Sequence, residues 1–237
     1  MTHYSIVIPA FNEARRLPPY LEEVAGFFDG RGEPYEVVVV DDGSTDGTAA
    51  VARAVAARHP AIRVLPLGCN RGKGAAVRAG MLSATGALRL FTDADGATPI
   101  AELKRLEPAL AAGADVVIGS RVLVDPAVAV RARPHRVAAG RVFNRLVALL
   151  GLGGVADSQC GFKLFTAAAA ERLFRALQTD GFAFDVELLL RAHAAGCRIV
   201  EVAVNWADQE GSKVGVLTSG PGMLVQILRA RRRVARG

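Results

Sequence analysis

Three apolar runs in this chain stop abruptly at acids and turn formers, and that repetition restricts the fold more than any other feature. Ile6-Val7-Ile8-Pro9-Ala10 runs into Phe11-Asn12-Glu13. Val37-Val38-Val39-Val40 runs into Asp41-Asp42-Gly43-Ser44. Phe91-Thr92 runs into Asp93-Ala94-Asp95-Gly96. Strands that all end this way suggest one crevice at the carboxyl edge of a parallel sheet, where open α/β sheets bind ligands. An Asp-x-Asp at such an edge can hold a divalent cation, and hard cations recruit phosphates. A sugar nucleotide is the ligand class this suggests. Taken alone, an Asp-x-Asp is more often a solvated turn; the surrounding α/β pattern reverses that balance.

That pattern is an alternation. Strands are expected near 4–8, 36–40, 62–67, 87–92 and 115–119, with helices near 14–28, 46–58, 72–85 and 99–112. Val51, Ala54 and Val55 carry the helical period in the second helix. Thr45 or Asp46 would cap it, and Gly43 eases the turn before it. Such alternation predicts a parallel sheet with right-handed crossovers. After Arg121 the rhythm changes. Residues 122–134 read as loop. A helix near 135–150 places Ala139, Val142, Phe143, Leu146 and Leu150 on one face, as core or as a membrane-facing element beside the site. Helices near 167–177 and 184–195 and a strand near 198–204 follow.

A length of 237 residues with 51% hydrophobic content suits a single α/β domain with an ample core. Its bounds are expected at 1–220, followed by a basic C-terminal helix over 221–237. Cys69, Cys160 and Cys197 show neither metal spacing nor a disulfide framework, which suits a reducing cytoplasm. Met1-Thr2-His3-Tyr4 runs straight into a strand, so no signal peptide is expected. The net charge of +6 permits nucleic acid, anionic lipid or a phosphorylated substrate as partner. No basic patch interleaved with aromatics is present, which argues against single-stranded nucleic acid. No uncharged run reaches the ~18 residues of a spanning helix. A helix from about Met223, apolar on one side and ending in Arg229, Arg231, Arg232, Arg233 and Arg236, could lie on an anionic membrane surface. The plainer reading is a solvated helix whose arginines oppose its dipole.

The chain resembles the inverting family 2 glycosyltransferases. Within them it looks like the dolichyl-phosphate β-glucosyltransferases and related polyprenyl-phosphate sugar transferases. The resemblance rests on Val7 to Glu13, Val40 to Thr48, Asn70-Arg71-Gly72-Lys73-Gly74, Asp93 to Thr98 and Gly119-Ser120-Arg121. It continues through Asp157 to Phe165, Phe184 to Leu189, Val204-Asn205-Trp206 and Glu210-Gly211-Ser212-Lys213. These segments span nearly the whole chain in order. The resemblance implies a nucleotide-sugar-binding (GT-A type) α/β domain with a mostly parallel central sheet flanked by helices.

The segments also have physical readings. Asp42, after a strand, suits the N3–H donor of uracil; the alternative is a cap on the turn. Pro9, Phe11 and Glu13 would form one wall of the nucleotide slot; the family often has Tyr where Phe11 stands. Arg71 and Lys73 around Gly72 and Gly74 read as a phosphate cradle, because glycines let backbone approach anions, though the P-loop spacing is missing. Asp93 and Asp95, two apart at a strand end, would share a side and bind Mg²⁺ or Mn²⁺. By resemblance Asp95 contacts the metal, while Asp93 touches the ribose or a metal-bound water. Related mannosyl-phosphate synthases often place a Gln ligand where this chain has Ala97.

Arg121 and Arg136 are candidate anion clamps, with Arg131 and Arg133 as competitors for the second role. By resemblance Asp185 and Glu187 lie at the acceptor side. A lipid phosphate is already anionic and requires no strong base, so this pair is expected to organise the site and bind glucose hydroxyls. Asp157, Gln159 and Lys163 flank a glycine turn and would order the acceptor side; Lys163 or Lys213 would neutralise a phosphate. The activity implied is inverting transfer of glucose from UDP-glucose to a polyprenyl phosphate, by a peripheral protein on the inner face of the cell membrane. GDP-mannose or another sugar nucleotide as donor, and a non-catalytic nucleotide-sensing membrane module, are the alternatives.

Overall fold

The computed structural model describes residues 3–133, 140, 143–145, 147, 154–209 and 216–235. The alternation holds through the first half: β1 (Tyr4–Ala10), α1 (Leu17–Asp29), β2 (Tyr35–Asp41), α2 (Thr48–Ala56), β3 (Ile62–Pro66), α3 (Lys73–Ser83) and β4 (Leu88–Thr92). One 3-10 turn, Ile100–Glu102, leads into α4 (Leu103–Ala111) and β5 (Val116–Ser120). Then come β6 (Val130–Arg131), β7 (Phe162–Thr166), α5 (Ala167–Ala176), α6 (Phe184–Ala194), β8 (Ile199–Ala203), β9 (Trp206–Ala207) and α7 (Val216–Val234).

The main sheet has seven strands in the order β3-β2-β1-β4-β7-β5-β8, all parallel to their neighbours except β7. Every residue of β1 and β5 is buried. Helices on both faces explain why these strands are apolar without alternation. In α1, Leu17, Leu21, Val24 and Phe28 face the core at helical spacing, and prolines near its start suit the first turn. The chain leaves β1 toward β2 and β3, then returns to β4 on the other side of β1. That reversal is the switch point at which open sheets bind ligands.

Three features depart from the expectations. Phe162–Thr166 forms an antiparallel strand between β4 and β5, where a glycine turn was expected. Lys163, fully buried in its middle, disguises a strand that is otherwise apolar. The 122–133 segment is pinned by a two-stranded parallel ladder of β6 with β9. The C-terminal helix starts at Val216, ahead of Gly220 and Pro221, and packs on the domain through Met223, Ile227 and Ala230. Of the helix expected over 135–150, Ala139, Val142, Leu146 and Leu150 lie outside the described residues; Phe143 is helical and packs against the core.

Candidate active site

The loops after β1 and β2 are laced together by side chains. The Asn12 and Glu13 amides donate to Ser44 Oγ (2.9 Å) and Thr48 Oγ1 (2.7 Å), and the Thr45 amide donates to Asn12 Oδ1 (2.8 Å). Asp46 accepts from the Ala14 and Thr48 amides, so it anchors the turn before α2 from just outside the helix. Pro9 and Glu13 are buried along this edge and Phe11 is half-buried.

Asp42 is buried, and its two carboxylate oxygens accept the amides of Arg71 (2.7 Å) and Gly72 (2.9 Å). The carbonyl of Asp180 accepts those of Gly74 (2.7 Å) and Ala75 (3.2 Å). This corrects the backbone cradle expected at residues 71–74, because those amides are already engaged within the chain. Gly72 permits the arrangement: its φ is +102°, and a Cβ there would collide with the Asp180 carbonyl. What remains for an anion is side chains, the exposed Arg71 and the ammonium of Lys73. Asp42 acts on this loop directly, and each of its oxygens keeps a further lone pair.

β4 ends at Thr92, so Asp93 and Asp95 stand in the turn beyond it, and it is the turn rather than the strand pleat that brings them together. The Asp93 amide donates to the Gly161 carbonyl (3.0 Å), and its carboxylate packs on Gly161, where any Cβ would overlap both oxygens. Lys73 Nζ lies 2.6 Å from Asp93 Oδ1 and over the Phe91 ring. Burial opposes the charge on Lys73, but Asp93 and Asp185 outweigh it and hold the ammonium above its ordinary range. The Ala97 amide holds Asp95 Oδ1 (3.1 Å). Burial, then the charge of Asp93, pushes the Asp95 carboxyl above the usual carboxylate range. Two carboxylates that repel in one crevice form a site that a cation would relieve.

Arg16, which sequence reasoning missed, forks onto Glu13 (2.6 and 2.7 Å) and reaches to 3.7 Å from Asp95 Oδ2. Its only signal was an opposite charge three residues from Glu13. Arg121 donates its amide, Nε and Nη2 to the buried Asp157 (3.0, 2.7 and 2.8 Å), and its guanidinium lies over Trp206. Burial opposes ionisation at Arg121; Asp157 overrides it and holds the guanidinium well above its ordinary range. Asp157 is held in turn, since Glu201 accepts its amide (2.8 Å) and that of Ala156 (2.7 Å). Trp206 and Glu201 thus buttress a predicted site residue, but from β8 and β9, distant in sequence.

Lys163 is fully buried, donating to Asp185 Oδ1 (2.5 Å) and the Cys160 carbonyl (2.6 Å). That placement corrects its expected contact with a phosphate, which a sealed ammonium cannot reach. Glu187, also fully buried, accepts the Gln178 and Thr179 amides, the Thr179 hydroxyl and Arg191 Nε. It holds the loop that carries Asp180, and sugar hydroxyls do not reach it. Gln159 Nε2 sits 3.6 Å from Met223 Sδ and so ties the turn before β7 to α7. Arg131 and Arg133 are exposed, Arg133 near Asp208 (3.3 Å). Arg136 and Lys213 lie outside the described residues.

The geometry therefore gathers Asp93, Asp95, Lys73, Arg16 and Arg121 at the switch point, with Asp42, Asp157, Asp185 and Glu187 supporting them. The family model described as Glycosyl transferase family 2 matches residues 5–174. The dolichyl-phosphate beta-glucosyltransferase of Drosophila melanogaster is 45% identical over 224 residues, covering 89% of this chain and 68% of that protein. Its human counterpart is 39% identical over 223 residues, covering 89% and 69%. A crystal structure of glucosyl-3-phosphoglycerate synthase from Mycobacterium tuberculosis, in complex with Mn²⁺ and UDP-glucose, superposes with a TM-score of 0.73 at 20% identity. It covers 97% of this chain and 79% of that one, and the shared architecture is the GT-A fold. Fold, family model and relatives converge: the chain belongs to glycosyl transferase family 2 and is a glycosyltransferase.

Proposed function

We propose that this chain transfers glucose from UDP-glucose to a polyprenyl phosphate of the dolichyl type, with inversion from α to β. The carrying observation is the pairing of Asp93 and Asp95 with Lys73 and Arg121 at the switch point. The names of the curated relatives support the acceptor and the sugar. The Mn²⁺ and UDP-glucose of the structural neighbour support the donor.

Asp93 and Asp95 fit Mg²⁺ or Mn²⁺ by the chemistry of the donor set. Both are hard oxygen ligands, and no cluster of three or more candidate ligands exists among the described residues. Diphosphate oxygens and water would complete the shell, as these cations usually require. Bound there, the cation would offset charge on the leaving diphosphate.

The chain's own residues do the rest. Asp42 orders the loop that presents Arg71 and Lys73 to the donor. Nη1 of Arg121 has no acceptor among the described residues and is left to grip an anion while Asp157 holds the rest of its fork. The acceptor phosphate attacks the anomeric carbon in line and UDP leaves. No base is required, and Asp185, sealed against Lys163, does not supply one. Rate acceleration comes from positioning and charge neutralisation. A lipid acceptor sets the reaction at a membrane surface, on its cytoplasmic side; no helix among the described residues is long and apolar enough to cross a membrane.

The test is a panel of sugar nucleotides incubated with a short polyprenyl phosphate and divalent metal, with the lipid product identified. UDP-glucose should give the glucosyl lipid and free UDP. Preference for GDP-mannose would replace the donor, and no turnover with any sugar nucleotide would favour a nucleotide sensor.

A further inference from the structure

The outward face of α7 sets exposed apolar side chains beside exposed arginines. Met223, Ile227 and Ala230 seat the helix on the domain. On the opposite side Leu224, Val225 and Leu228 are 40%, 48% and 41% exposed. Arg229, Arg231 and Arg232 continue this side toward the C-terminus, all exposed. From Val216 onward the sequence has no acidic residue to offset them. A solvated helix whose arginines oppose its dipole explains the charges but not the apolar residues beside them.

The same helix touches the acceptor side from its inner face. Met223 meets Gln159, the Gln226 side chain packs where a Cβ on Gly181 would stand, and Arg233 Nη1 lies 3.9 Å from Glu187. A plane resting on the outer face of α7 would therefore lie beside the acceptor end of the crevice.

We infer that the outward face of α7 docks flat on an anionic lipid bilayer, inserting Leu224, Val225 and Leu228 and placing Arg229, Arg231 and Arg232 among lipid phosphates. Apolar side chains flanked by arginines match the interfacial layer, where one part of the surface is oily and the next is negative. The inference deepens the lipid-acceptor reading by naming the surface that meets the lipid.

The experiment is co-sedimentation with phosphatidylcholine vesicles, with and without phosphatidylglycerol, at about 0.1 M salt. Wild type should bind the anionic vesicles and leave the neutral ones. The triple variant Arg229→Gln/Arg231→Gln/Arg232→Gln should bind on the order of a hundredfold more weakly. Leu224→Gln/Val225→Gln/Leu228→Gln should lose at least roughly tenfold. Arg→Lys at the three basic positions keeps the charge and should bind as wild type does.

Failure of wild type to bind anionic vesicles, or wild-type binding by either Gln variant, overturns the proposal. So does binding lost with the arginines alone and matched by RNA, which would assign the surface to nucleic acid. Self-association abolished by the Leu and Val changes would assign it to a second copy and equally overturn it. The two readings separate cleanly. Transfer to a water-soluble short-chain phosphate without vesicle binding defeats the docking alone; vesicle binding without any transfer defeats the activity alone.

Discussion

Replacing Lys163 by methionine should destabilise the chain by about 3–5 kcal/mol, because it leaves a buried carboxylate without its partner. The side chains of Lys163 and Asp185 are 0% and 4% exposed and 2.5 Å apart, so solvent does little to screen them. The Cys160 carbonyl also loses its donor, which costs about 1–3 kcal/mol of that total. The double variant Lys163→Met/Asp185→Leu removes both charges and should regain most of the loss, leaving about 1–3 kcal/mol for the carbonyl. Urea unfolding followed by far-UV circular dichroism measures both, against a total stability on the order of 5–15 kcal/mol. Acidity provides a second reading. Burial holds the Asp185 carboxyl above its ordinary range although Lys163 pulls it down. The folded chain thus binds that proton more tightly than the unfolded chain does. Its penalty is present above the folded value and is relieved as pH falls through it. Without Lys163 the upward shift grows, so the deficit of Lys163→Met should shrink as pH falls through the folded value of Asp185. A single variant within about 1 kcal/mol of wild type, or a double as unstable as the single, would refute the account of this pair.

Three further outcomes follow from the site. Asp95→Asn should abolish transfer without lowering the unfolding midpoint, since it removes a carboxylate that burial and Asp93 already oppose; retained turnover would remove Asp95 from the metal site. Asp42→Ala frees the Arg71 and Gly72 amides and should weaken UDP binding by roughly tenfold or more, read by calorimetry; unchanged affinity would show that the loop needs no such anchor. Gly161→Ala should displace the Asp93 carboxylate and cut metal-dependent UDP binding, whereas Gly154→Ala, which meets nothing nearby, should leave it unchanged.

The sequence by itself determined the first half of the fold. Strands such as Val37–Val40 and the periodic helices between them are local signals, and their alternation admits few topologies. It also marked Asp93 and Asp95, because two carboxylates one residue apart after an apolar run are visible without neighbours. What it could not show was which charged residues face the crevice and which hold it up. Lys163 and Glu187 read as polar site residues, yet both are sealed; their burial depends on β7 entering the sheet between β4 and β5 and on α6 packing behind it. Residues 71–74 read as a cradle until Asp42, 29 residues before Arg71, took the Arg71 and Gly72 amides and the Asp180 carbonyl took that of Gly74. Arg16 near Asp95, and Trp206 under Arg121, are likewise set by contacts across the fold. A periodicity is written in adjacent residues. A hydrogen bond or an ion pair between distant ones exists only once the chain has closed the space between them, and tertiary structure alone decided those.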